Sequence, residues 1–312
     1  MLSFLQHELA PWVVFAAIVG TAMTVDLALV GRKQVVLSPR TAFRWSLVWV
    51  GLGLGFSLAV WGWYGAEQAQ QYLAGYLIEI SLSIDNLFVF LVAFATLGVE
   101  LRYQRSVLFW GIIAAVVLRG AFIVAGIQLI ERLHLVVYLF GALLVYTAWR
   151  LVRTQGVEVD PERNPLVRLT RRLFPVAADY RGGRYVIHRD GRRYLTTVAV
   201  ALVAVNSADL VFALDSVPAV LAITTHTFVA FTSNIAAVLG LRALYFALAS
   251  SLERFEYLTW GLAAVLAFVG AKMLLSDVVH VPTVVSLGVV VVAIGVSVLL
   301  SLRLTKGDEG GA

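Results

Sequence analysis

The chain has 312 residues, of which 60% are hydrophobic and 14% charged, and its mean hydropathy is +0.87. Soluble domains carry about 25% charged residues, so this is too much apolar surface for one soluble core, and it excludes a disordered, collagenous or coiled-coil chain. The sequence has no cysteine, which excludes a disulfide scaffold, thiolate metal sites and a Cys nucleophile. What remains is an all-α polytopic membrane protein. In such a chain the formal net charge of +5 bears on topology before it bears on partners.

Nine apolar stretches are long enough to cross a bilayer, which takes about 20 residues each. They cover roughly 12–30, 45–64, 72–98, 106–130, 134–151, 195–223, 228–251, 257–275 and 281–302, within one membrane domain spanning 1–312. Residues 1–11 contain no Lys or Arg, so no cleavable signal peptide is expected. Of the 24 Lys and Arg residues, 20 fall on one side of the expected crossings. Only Arg132 lies in an opposite loop, and Arg119, Arg242 and Lys272 lie inside spans. This bias predicts an N-terminus outside and a C-terminus in the cytoplasm.

One long loop, 152–194, is expected on the cytoplasmic side. Its segment NPLVRLTRRLF at 164–174 spaces Leu166, Leu169 and Leu173 as on a helix, with Arg168, Arg171 and Arg172 between them. That pattern suits a membrane surface. RYVIHR and RRYLTT then flank Asp190-Gly191, a two-residue hairpin signal. His7, His134, His226 and His280 fall near the predicted outer ends and read as surface residues.

Acids inside spans are costly in lipid and are functional candidates for that reason. Span 3 reads EISLSIDNLFVF, with Glu79, Asp85 and Asn86; span 6 reads NSADLVFALDSVPAV, with Asp209, Asp215 and Ser216. Both show an acid, five residues, an acid, then a small polar residue. GIIAAVVLRG in span 4 resembles NIAAVLGLRA in span 7, aligning Arg119 with Arg242. TAWRL and GAKML align Arg150 with Lys272. Spans 3–5 (about 72–151) and 6–8 (about 195–275) therefore read as two copies of a three-helix unit. An odd number of crossings inverts one copy against the other, an architecture of secondary transporters with a site near the midplane.

Six residues turn an α-helix by about 600° and raise it by about 9 Å, so the two acids of each motif do not share a face of a straight helix. Either each helix presents acids to two neighbours, or the helices break near the motif, as Pro218 would allow in span 6. Carboxylate, carboxamide and carbonyl oxygens suit hard divalent cations such as Mg²⁺, Ca²⁺ and Mn²⁺. The candidate metal ligands are Glu79, Asp85, Asn86, Asp209 and Asp215. Further polar or gating candidates are Asp26, Asn206, Ser216, Arg119, Arg242 and Lys272. Arg119 and Arg242 would balance some of the acids. Asn234 aligns with Gly111 and has no counterpart in the other unit, which makes it a weaker candidate. Burial raises carboxyl pKa values, so protons are a reasonable coupling ion.

At these residues the sequence resembles the TerC/Alx family of integral membrane proteins. The matching stretches are EISLSIDNLFVF at 79–90, NSADLVFALDSVPAVLAIT at 206–224 and FTSNIAAVLGLRALYFAL at 231–248. Relatives usually carry an acidic residue followed by proline where this chain has Thr225-His226-Thr227. The resemblance implies a multi-pass protein of the bacterial cytoplasmic membrane, related to the lysine-exporter superfamily, that exports manganese(II). It maps the family's motif acids onto Glu79, Asp85, Asp209 and Asp215, and the residues themselves point to no covalent cofactor. From the residues alone, a Ca²⁺ or other cation/proton exchanger stays open. So do an intramembrane aspartyl protease using Asp85 and Asp215, and a membrane scaffold. Nothing in the sequence points to a soluble enzyme or to nucleic acid.

Overall fold

The computed structural model describes residues 2–31, 39–153, 164–177, 183–189, 191–248, 258–279 and 281–308. In chain order the helices are α1 (Leu2–Gly31), α2 (Pro39–Tyr64), α3 (Ala66–Thr96), α4 (Leu101–Arg132) and α5 (Leu135–Arg153). The segment after α5 supplies α6 (Pro165–Leu173) and the short strands β1 (Val176–Ala177), β2 (Val186–Arg189) and β3 (Arg192–Thr196). Then come α7 (Thr197–Leu221), α8 (Thr227–Leu248), α9 (Leu258–Leu274) and α10 (Thr283–Asp308). Each of the nine apolar stretches falls on a helix. Among the described residues, seven helices are long and apolar enough to cross a membrane; α1 and α9 are apolar over the shorter runs Leu9–Thr21 and Thr259–Leu274. Leucines and valines such as Leu58, Leu139, Val292 and Leu299 stay exposed on the outer surface, as a bilayer solvent requires.

Several helices outrun their apolar stretches. With 31 residues, α3 is about 46 Å long at 1.5 Å per residue, against a hydrocarbon layer of about 30 Å. Its first turns, AEQAQQ, are good helix formers that need no lipid. Gly65 at φ 93 makes the reversal from α2, a backbone region in which other residues are strained.

The packing has an internal correspondence. Helix α3 packs on α8 and α4 on α7, while α5 lies along α9 and α3 touches α7. Exchanging α3, α4 and α5 for α7, α8 and α9 maps each of these pairs onto another or onto itself. At the α5–α9 crossing the approach is reciprocal. A Cβ on Gly141 would meet the Gly270 carbonyl at 3.0 Å, and one on Gly270 would meet the Gly141 carbonyl at 2.8 Å. Only glycine lets the two backbones come so close.

The described parts of the segment after α5, 164–177, 183–189 and 191–196, fold against the bundle end where α3 finishes and α4 starts. Asn164 caps α6, accepting from the amides of Leu166 at 2.9 Å and Val167 at 3.4 Å, and Pro165 fills the first helical position. Val167 is fully buried with Leu87, Val107 and Val205, while Leu166, Leu169 and Leu173 are exposed. The hairpin β2–β3 turns at Gly191 (φ 73), next to Asp190, which lies outside the described residues, and β1 adds a parallel strand beyond it. Tyr185 shares a 2.7 Å hydrogen bond with Ser106; burial pushes its phenol pKa up, and the Ser106 bond opposes the shift.

The helix break that Pro218 allowed does not occur. Helix α7 runs unbroken through Pro218 to Leu221, and the Ala222 amide bonds the Pro218 carbonyl at 2.9 Å; α3 is likewise continuous through its motif. Proline costs one donor, toward Leu214, but the helix on either side keeps its own bonds. The acids of α7 therefore serve two neighbours, as a straight helix with this spacing demands.

Candidate cation site

Glu79 stands on α3, Arg119 on α4, Asp209 and Ser216 on α7, and Asn234 on α8. They meet where α3, α4, α7 and α8 pack, and all are buried; Glu79, Arg119 and Asn234 have no exposed surface. The Arg119 Nη1 donates to Glu79 Oε1, to Ser216 Oγ at 3.1 Å and to Asn234 Oδ1 at 3.2 Å. Its Nη2 donates to Asp209 Oδ1 at 2.9 Å. The Asn234 amide nitrogen holds the other Glu79 oxygen at 2.9 Å. Four helices thus bring two carboxylates, a hydroxyl and a carboxamide around one guanidinium.

The cluster is not saturated. Among the described residues, Asp209 Oδ2 and Arg119 Nε have no hydrogen-bond partner, and neither do Asn86 Nδ2, Asn206 Oδ1 and Ser83 Oγ. Buried polar atoms are nearly always paired, so orphans on both the cation and an anion of one cluster call for an account. Asp209 also lines a cavity of about 20 Å³ with Gly111, Ile112 and Ala115, room for about one water.

Asp215 goes elsewhere. One oxygen accepts from Thr147 at 3.0 Å, the other from Arg150 at 3.1 Å, both on α5. Asn86 is buried on α3, and the half-buried Asn206 donates to the Leu202 carbonyl at 2.9 Å. Lys272, aligned with Arg150, donates instead to Ser286 of α10 at 3.1 Å. Asp26, Asp85 and Arg242 lie on α1, α3 and α8, with side chains outside the described set. Of the histidines, His134 lies 3.7 Å from Asp277 and His226 packs on Tyr64 with ring centroids 4.7 Å apart. The His7 side chain and His280 lie outside the described residues. No three His, Asp or Glu side chains among the described residues converge on one point.

Asn234 is the member that sequence reasoning undervalued. Its signal was the run Thr232-Ser233-Asn234, three consecutive polar residues in a mostly apolar helix, all fully buried. Asn164 and Ser207 were also missed: the Asn164 amide donates to Ser207 Oγ at 2.6 Å, tying the cap of α6 to α7 two residues before Asp209.

A polar cavity of about 370 Å³ opens at the far end of α3 from α6, lined by Gln68, Gln71, Thr224, Thr225 and His226 among others. Gln71, Gly75 and Glu79 follow at four-residue spacing along α3, which places them on one helix face. Between cavity and acid, α3 closes on α8. A Cβ on Gly75 would meet Ser233 Oγ at 2.9 Å.

Comparison with known proteins gives a consistent picture. Residues 64–309 match the model described as "Integral membrane protein TerC family". The chain is 43% identical over 291 residues to "Uncharacterized membrane protein STKORF319" of Myxococcus xanthus, covering 93% of this chain and 91% of that one. It is 40% identical over 289 residues to "Putative membrane-bound redox modulator Alx" of Escherichia coli (strain K12), covering 89% and 90%. An "Uncharacterized membrane protein" of Rickettsia felis is 32% identical over 93% of this chain and 97% of its own. No solved structure matches.

Proposed function

The chain belongs to the TerC family of integral membrane proteins, and from that premise we propose that it is a secondary transporter, not an enzyme, that carries a divalent cation, manganese(II), out of the cytoplasm. In this reading the protein sits in the bacterial cytoplasmic membrane with its Arg-rich end inward, and protons are the coupling ion. The observation that carries it is the buried cluster: Glu79, Asp209, Ser216 and Asn234 present oxygens from α3, α7 and α8, and Asp209 keeps one oxygen unpartnered. Hard oxygen donors of this kind suit Mn²⁺, Mg²⁺ and Ca²⁺.

The reciprocal packing of α3–α5 on α7–α9 supports an inverted repeat, in which one half rocks against the other around a shared site. The Gly75–Ser233 closure is then the gate toward the polar cavity. The apolar cluster around Leu87, Val205 and Val167 seals the other side. Asp215, held by Thr147 and Arg150 on α5, passes the ion along instead of holding it first. The name of the Escherichia coli relative speaks of redox modulation. This chain has no cysteine, so it has no thiol couple of its own, and control of a redox-active metal would reconcile the two.

The test is flux. Purified protein in liposomes holding a metal-sensitive dye should take up Mn²⁺ in exchange for protons leaving an acidic lumen. Asp209→Asn should remove that flux. Equal flux in wild type, Asp209→Asn and empty liposomes would defeat the reading.

A further inference from the structure

A guanidinium occupies the place where a transported cation would bind. The oxygens that hold Arg119 are Glu79 Oε1, Asp209 Oδ1, Ser216 Oγ and Asn234 Oδ1, a set that a hard divalent ion would take. A guanidinium has five N–H donors in a fixed fork, two of them on each Nη. Here Nη1 faces three acceptors, Nη2 faces one, and Nε, fully buried, faces none. A permanent structural arginine in a closed interior would be expected to use its fork more fully, since a buried unpaired donor is costly. The unpartnered oxygen of Asp209 is the matching gap on the anionic side.

There is also somewhere for the side chain to go. Helical side chains lean toward their own N-terminus, which for Arg119 is the direction of Ala115 and Gly111. The water-sized cavity beside Asp209 is lined by those residues, so the packing along α4 is loosest in the direction in which the guanidinium would withdraw, and full withdrawal needs the side chains around it to give way.

We infer that Arg119 is a tethered cation: it holds the oxygen cluster when no ion is bound, and the transported ion must displace it. The inference rests on the transport reading and adds the identity of the competing group. Two carboxylates are then never left together without a positive charge, which lipid makes costly. The empty carrier can reset because its own arginine takes the cargo's place.

Competition predicts that removing the tether tightens binding while stopping turnover. Mn²⁺ binding to purified protein in nanodiscs is read from loss of the free aqueous Mn²⁺ signal in electron paramagnetic resonance. Arg119→Gln should bind at least about ten-fold more tightly than wild type, equivalent to ~1.4 kcal/mol, yet carry no flux in liposomes. Arg119→Lys, which keeps the charge but loses the fork, should fall between in affinity and retain some flux. It also carries the test if Arg119→Gln does not fold. Equal or weaker binding in the variants, with wild type binding normally, overturns the tethered cation and leaves the transport reading standing. No binding in wild type or in either variant overturns both.

Discussion

Two aspartates six residues apart on one helix meet opposite environments. Asp209 is buried against α4, where its partner Arg119 has no exposed surface and also serves Glu79, Ser216 and Asn234. Asp215 turns to α5, where Thr147 and Arg150 hold it, and the Arg150 side chain is 46% exposed. Six residues rotate a helix by about 240° beyond a full turn, so one straight helix gives its acids to different neighbours. The Asp215 side chain is itself only 14% exposed, so this pair is half-open: its arginine end is screened as in a surface pair, and its carboxylate end is partly withdrawn from water. A buried charge cluster is committed, because loss of one sign strands the other away from water. Of the two, Asp209 belongs to the interior chemistry and Asp215 to its flank.

The largest effect should come from stripping both counter-charges. Glu79→Gln with Asp209→Asn leaves Arg119 buried with neutral partners only, which costs about 3–5 kcal/mol and should lower the unfolding temperature in detergent sharply. Asp209→Asn alone leaves Arg119 paired with Glu79. Its cost should stay near about 1.5–3 kcal/mol, that of one hydrogen bond to a charged group, while flux is lost. A double variant as stable as wild type would show that the arginine has another partner.

Next is the gate. Gly75→Val places branched carbons where Ser233 Oγ lies 2.9 Å from a single Cβ, forcing α3 off α8 at a cost of about 1–3 kcal/mol. Flux should fall with it, and Gly75→Val with Ser233→Gly should recover part of both. Failure of that pair to recover would mean that the contact is not the obstacle.

Asp215→Asn sharpens the contrast from the other side. Its stability cost should be about 1.5 kcal/mol, the lower end for a hydrogen bond to a charged group, with slowed but measurable flux. Flux as fully abolished as in Asp209→Asn would erase the difference between the two acids. The smallest effect on flux is expected from Asn164→Ala, which removes the cap of α6 and its bond to Ser207. A cap is worth about 0.5–2 kcal/mol, and protease accessibility near residue 165 should rise while Mn²⁺ binding is kept.

The sequence carried the helices because apolar runs of membrane length leave the backbone no other solution. It misjudged where they end: α3 begins at Ala66, not near 72, since polar helix formers extend a helix beyond the lipid at no cost. The hairpin around Gly191 was legible in its turn residues, whereas β1 was not, because two residues carry no periodicity. Glu79, Asp209 and Arg119 were legible as charges in apolar spans. Their grouping was not, because rotation of a helix about its axis is set by packing on its neighbours. Asn234 was discounted for lacking a repeat partner, yet it bridges Glu79 and Arg119. Repeat symmetry locates paired positions and is silent on residues that serve only one half.

In the proposed function, the oxygens around Arg119 form the cation site. Crystals of the protein grown with Mn²⁺, measured by anomalous diffraction near the manganese edge, test it without reference to transport. The account predicts one peak among Glu79, Asp209, Ser216 and Asn234, at metal–oxygen distances of about 2.1–2.4 Å, between those of Mg²⁺ and Ca²⁺, with the guanidinium displaced toward Ala115. An anomalous peak elsewhere in the bundle, with Arg119 still bound to Glu79 and Asp209, would contradict it.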